Sequence, residues 1–140
     1  MRTVKLTRRD DPIFGSMVYM GDRLKYWEGQ ILFAPTGSTI EVFVDGPADD
    51  GMEEQHIFFQ RVIQEWPALS SSIGRFLIEQ SYEREPKIRI DSFRICSLSI
   101  PAGSIENADW EVSFDTLPDR DHIWAVHMKG LVPLGFVVDG

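Results

Sequence analysis

The amino-acid sequence predicts an α+β domain: a mostly antiparallel sheet with its helical content gathered on one face. Apolar residues alternate with polar ones in the first third, recur every three or four positions in the middle, and alternate again to the end. Strands therefore flank one helical region, whereas a parallel α/β sheet would place helices between most of its strands. The connections are short and rich in Gly, Pro and Asp, which favours antiparallel neighbours. All 140 residues fit one domain, and no internal repeat or low-complexity tract divides them.

A polar lead that includes Arg8-Arg9-Asp10-Asp11-Pro12 precedes a three-stranded meander. Its first strand is Met17 to Met20, ending at Gly21-Asp22. In the second, Leu24 to Phe33, side chains alternate so that Trp27, Ile31 and Phe33 share a face. Ala34-Pro35-Thr36-Gly37-Ser38 supplies turn residues. The third strand alternates Ile40, Val42 and Val44 with Glu41, Phe43 and Asp45, and Gly46-Pro47 closes it.

A helical pair at about 52–84 follows. Asp50 is placed to cap the first turn, and Glu53 three residues later completes a capping-box-like pair that satisfies orphan amide donors. From there Phe58, Phe59, Val62, Ile63, Trp66, Leu69, Ile73, Phe76 and Leu77 form one apolar stripe of helical period. Pro67 has no amide for the carbonyl of Ile63, and its ring crowds that carbonyl, so a break or kink is expected at Trp66-Pro67. The second segment contains Ser70-Ser71-Ser72 and Gly74, poor helix formers, and must be held by packing until it stops near Glu85-Pro86.

Lys87 to Ile100 reads as extended. Its apolar parity shifts: Ile88 and Ile90 match Cys96, Leu98 and Ile100, while Phe93 and Ile95 take the other face, which predicts a bulge or short turn near Asp91. Pro101 to Ser104 is a turn. Trp110, Val112 and Phe114 define one further strand face and Trp124, Val126 and Met128 another. Lys129-Gly130 then leads to a last strand with Leu134, Phe136 and Val138. The four tryptophans, Trp27, Trp66, Trp110 and Trp124, all fall on these apolar faces, so core packing is their expected use.

Composition narrows the function classes. Hydrophobic residues make up 43% and charged residues 26%, ordinary globular usage, so neither disorder nor a fibrous class is indicated. No apolar run approaches the ~20 residues that would span a bilayer, and Met1-Arg2-Thr3 is followed by no apolar segment, so the expected location is cytoplasmic. A net charge of −8 repels nucleic-acid phosphates and would steer a basic protein, although the same charge also serves solubility. Cys96 is the single cysteine, which rules out an internal disulfide, and its apolar neighbours predict a buried thiol acting as a small hydrophobe. Gly15, Gly21, Gly29 and Gly37 form no phosphate-binding pattern, and no cofactor is expected.

Reactive side chains and strand geometry coincide between Asp109 and Met128. Asp119, Asp121 and His122, with Asp115 at the end of the preceding strand, could hold a divalent cation, or His122 oriented by an aspartate could act as a general base. An acidic turn containing proline is equally what a solvated hairpin loop looks like. His122 and His127 are an odd number of residues apart, so a regular strand would point them to opposite faces, and no serine or cysteine has a recognisable nucleophile context. His56 reads as an ordinary surface or boundary residue. Two acidic clusters are candidate protein contacts: Asp49, Asp50 and Glu53 at the helix start, where they also favour the helix dipole, and Asp119 and Asp121 in the loop.

Several short motifs carry a resemblance. Asp11-Pro12-Ile13-Phe14-Gly15, Trp27-Glu28-Gly29, Glu54-Gln55 and Trp110-Glu111-Val112-Ser113-Phe114 followed by Asp121-His122 resemble a group of small uncharacterised bacterial domains. That group has a D-x-x-F-G opening, a W-x-G strand and a late W-x-x-x-F…D-x-H segment. The resemblance implies no catalytic residues. Some such acidic proteins resemble toxin-immunity or accessory proteins. Ile123-Trp124 after His122 departs from the glycine the group often has there. The reading that results is a non-enzymatic protein-binding module, with a possible basic partner or a homodimer. The alternative is a small hydrolase or metal-assisted enzyme at 115–122.

Overall fold

Eight strands pair strictly in chain order in the computed structural model, which describes residues 7–21, 25–46, 51–80, 93–116 and 122–139. They are β1 (Arg8–Asp11), β2 (Gly15–Tyr19), β3 (Tyr26–Phe33), β4 (Ser38–Asp45), β5 (Phe93–Ile100), β6 (Asp109–Thr116), β7 (Ile123–Lys129) and β8 (Val132–Asp139). A helix, α1 (Glu53–Gln80), connects β4 to β5. Every pair is antiparallel except β4 and β5, which run parallel because α1 carries the chain across one face between them. The fold is α+β and strand-rich: two four-stranded meanders meet at this parallel seam.

The strand faces follow the sequence pattern. Ile40, Val42 and Val44 in β4, Trp110, Val112 and Phe114 in β6, and Trp124, Val126 and Met128 in β7 are buried. With the α1 stripe they make one core. All four tryptophans belong to it: Trp66 meets Phe33 edge-on at 5.0 Å, Phe58 meets Trp110 edge-on at 5.3 Å, and Trp124 stacks on Phe136 at 5.2 Å.

Three expectations are corrected. The N-terminal meander has four strands, because part of the polar lead forms β1 against β2. The helical pair is a single 28-residue helix that continues through Pro67. Proline costs a helix interior about 3 kcal/mol. Beyond it Leu69, Ile73 and Leu77 are buried, each contributing about 1.5–3 kcal/mol, so packing outweighs the break. Pro67 itself is exposed, and the Ser70 hydroxyl donates to the Pro67 carbonyl at 3.3 Å. Pro67→Ala is therefore expected to stabilise the protein by about 1–3 kcal/mol in urea denaturation, and a destabilised variant would show that α1 needs its proline geometry.

The bulge expected near Asp91 falls outside the described residues. Within β5 the register shifts between Ile95 and Ser97, so Cys96 drops out of the alternation and both Ile95 and Leu98 reach the core. A second irregularity, opposite His127 and Met128, skips Leu134, which is exposed instead of sharing the core side with Phe136 and Val138.

Candidate functional site

Of the 115–122 candidates, Asp119 and Asp121 lie outside the described residues. Asp115 closes β6 and is committed to Arg94 on β5, whose Nε and Nη2 donate to its two oxygens at 3.0 and 2.8 Å. His122 is half-buried just before β7. His127 lies on β7 with Nε2 3.5 Å from Asp109. Among the described residues no group of three or more His, Cys, Asp or Glu side chains could hold a metal ion.

At the helix start Asp49 and Asp50 are likewise outside the described residues, and Glu53 is exposed. Buried Gln55 fixes this end of α1 by donating from Nε2 to the Asp45 carbonyl at 2.8 Å. Beside it a groove of about 240 Å³ runs between Glu54, Ile57, Phe58 and Arg61 of α1 and residues 103–106. Glu106 there is held down to about 2 by the Ser104 hydroxyl and by Arg61, whose Nη1 donates to it at 2.7 Å. That carboxylate is already satisfied.

Cys96 is half-buried, and burial, then Asp115 and Glu41, push its thiol up to about 11. It stays protonated at neutral pH and is a poor nucleophile.

Sequence reasoning missed the role of His56. Its Nε2 lies 2.8 and 2.9 Å from the two oxygens of Asp11, and Asp11 Oδ1 also accepts the amides of Ile13 and Phe14 at 2.8 Å. Burial pushes the Asp11 carboxyl up, but the two amides and His56 outweigh it and hold it below the usual range. An ionised carboxylate only accepts, so His56 Nε2 carries the proton. Phe14 lies against His56 and Phe59 at 5.3 and 5.5 Å, and Gly15 turns with φ +69°. The D-x-x-F-G motif thus builds the β1–β2 turn onto α1. In the W-x-G motif, a Cβ on Gly29 would come within 3.0 Å of the Met17 side chain, so that motif serves packing as well.

A second set of polar residues occupies the sheet face opposite α1. Among the described residues no element packs on that face. Cross-strand pairing sets Glu28 beside Phe43, Phe43 beside Ser99, and Glu111 beside His127, while Ser99 Oγ accepts the Glu111 amide at 2.7 Å. Gln30, Glu41 and Ser97 make the adjoining row. Tyr26 meets Phe43 edge-on at 6.1 Å and donates its hydroxyl to Glu28 at 3.2 Å. A shallow hollow of about 180 Å³ lies between Val18, Glu28, Gly29, Gln30, Glu41 and Phe43.

Glu28, Glu41 and Glu111 meet no cation among the described residues, whereas Arg94 is paired with Asp115 and Lys129 approaches Asp109 at 3.4 Å. The face is thus negative, with a half-buried aromatic ring at its middle. The signal was present in the sequence: these residues occupy the positions that alternate with the core set in β3, β4 and β6.

Among the described residues no helix is long and apolar enough to cross a membrane. Comparison with protein-family models, with curated proteins and with solved structures finds no match.

Proposed function

We propose that this chain is a non-enzymatic bacterial protein-binding module, of immunity or accessory type, that receives a basic protein partner. The observation that carries the reading is the sheet face on which no element packs among the described residues, where Glu28, Glu41 and Glu111 flank Phe43 and meet no described cation. Unpaired carboxylates on a broad, rigid surface attract a lysine- or arginine-rich partner at long range, and an aromatic ring between them receives a guanidinium or an aliphatic stem on contact. The acidic residues Asp49, Asp50, Glu53, Asp119 and Asp121 add to the net charge of −8 that draws such a partner.

The test is capture from a bacterial lysate by the immobilised chain, with bound proteins identified by mass spectrometry and their binding measured at low and high salt. The captured set is expected to be basic. The combined Glu28→Lys, Glu41→Lys and Glu111→Lys variant is expected to bind about 10–100-fold more weakly at low salt, with the difference shrinking as salt rises. A second variant, Asp49→Lys, Asp50→Lys, Glu53→Lys, Asp119→Lys and Asp121→Lys, tests the contribution of these two acidic clusters. Partners of no particular charge, or a loss that ignores salt, would overturn the reading.

A further inference from the structure

We propose that β8 pairs antiparallel with β8 of a second copy of this chain, centred on Val137, so that two sheets become one. The two edges of the sheet differ in kind. β1 is four residues long and reads Arg-Arg-Asp-Asp, the short, charged edge that resists strand addition. β8 is eight residues long, and Asp139 is its single ionisable side chain. Its first half is guarded: Pro133 has no amide to offer, and the skipped Leu134 distorts the ladder. The stretch Gly135–Asp139 pairs without interruption against Ile123–His127 of β7 and carries Val137 at 67% exposure. A regular, largely apolar edge with its single charge at one end is a template for another strand.

The free stretch and its side chains select the occupant and the register. Pairing about Val137 sets Val137 against its own copy on the outer face and half-buried Phe136 against Val138 on the core side, while Gly135 faces Asp139. No atom lies within 4 Å of a Cβ position on Gly135, and across β7 its neighbour is His127. Asp139 of one copy therefore reaches over Gly135 toward His127 of the other, two strand spacings or about 10 Å between backbones, a gap the two side chains together span. The two-fold axis repeats the contact. With a net charge of −8 on each chain, this edge, where Asp139 is the single ionisable side chain and faces Gly135 of the other copy, lets two copies approach with little repulsion. The axis stands perpendicular to the sheet, so both acidic faces lie on the same side. The inference stands apart from the partner proposed above, because a dimer can form whether or not that face binds a protein.

Sedimentation velocity of the full chain, from about 5 to 500 µM, is expected to show a reversible monomer–dimer equilibrium. Val137→Lys sets like charges opposite each other and is expected to weaken the dimer more than ten-fold without changing the thermal midpoint of the dilute monomer, since Val137 is exposed. Asp10→Lys, on the β1 edge, is expected to leave it unchanged. In a Cys96→Ser background, Val137→Cys should form a disulfide-linked dimer under mild oxidation, and Val132→Cys, whose two copies lie on opposite sides of the axis and far apart in this register, should not. A chain that stays monomeric throughout, a dimer indifferent to Val137→Lys, or stronger linkage through Val132→Cys would each overturn the proposal.

Discussion

Trp110→Ala is expected to destabilise the protein by about 3–5 kcal/mol, a large share of the roughly 5–15 kcal/mol that holds an ordinary domain folded. Trp110 is only 2% exposed and joins three parts of the chain. Its ring meets Phe58 of α1 edge-on at 5.3 Å, and its Nε1 donates to the Gly130 carbonyl at 2.8 Å in the turn between β7 and β8. The amide of Gly130 in turn donates to Ala108 at 2.8 Å, just before β6. Gly130 has φ +58°, and a Cβ there would stand 2.5 Å from the Glu106 carbonyl oxygen, so this close approach requires glycine. Alanine at 110 removes the packing and leaves the Gly130 carbonyl without its indole donor.

Trp110→Phe separates the two contributions. It keeps most of the ring contact with Phe58 and loses the hydrogen bond, at about 1–2 kcal/mol. Urea denaturation followed by far-ultraviolet circular dichroism reads both variants without relying on the indoles that remain. A Trp110→Ala loss within about 1 kcal/mol of zero would mean that the sheet and helix are held together elsewhere. The lysine substitutions at Glu28, Glu41 and Glu111 lie on the opposite face and touch none of these contacts. Their effect on stability is expected to stay within about 1 kcal/mol, which separates a binding defect from a folding defect.

How much of this was legible in the sequence varies with the range of the interaction responsible. Alternation and helical period are local, and they placed β4, β6, β7 and the α1 stripe correctly, down to which tryptophans are buried. Pro67 misled because its cost is local while its compensation is tertiary: Leu69, Ile73 and Leu77 are anchored only once the sheet lies beneath them. β1 escaped notice because Arg8-Arg9-Asp10-Asp11 has no apolar alternation, and its order comes from a turn locked by Asp11. The irregularity at Cys96 was visible only as a shift of parity along this stretch, since pattern shows that a strand changes phase without fixing the residue that is skipped. For the candidate site, the acidic clusters were legible as composition. The uncovered face became visible only when topology put the helix on one side.

The pairing of Asp11 with His56 joins positions 45 residues apart and left no sequence signal, yet it carries the second large expected effect. Asp11→Ala is expected to cost about 2–4 kcal/mol at neutral pH, because it leaves the amides of Ile13 and Phe14 without their acceptor and unties the β1–β2 turn from α1. The pH dependence has a definite sign. The folded carboxyl lies below its ordinary value of 3.8, so its contribution is complete above that value and is lost as pH falls through the lower, folded one. The wild-type protein should accordingly lose stability steeply below about pH 4. In Asp11→Asn, which cannot ionise, that part of the acid limb should flatten while a smaller loss appears at neutral pH. A double-mutant cycle with His56→Ala should return a coupling of about 1–3 kcal/mol near neutrality that fades in acid, when protonation of Asp11 removes the charge that His56 meets. An acid limb identical in wild type and Asp11→Asn would place the carboxyl outside the energetics of folding, and the D-x-x-F-G turn would then rest on Phe14 packing alone.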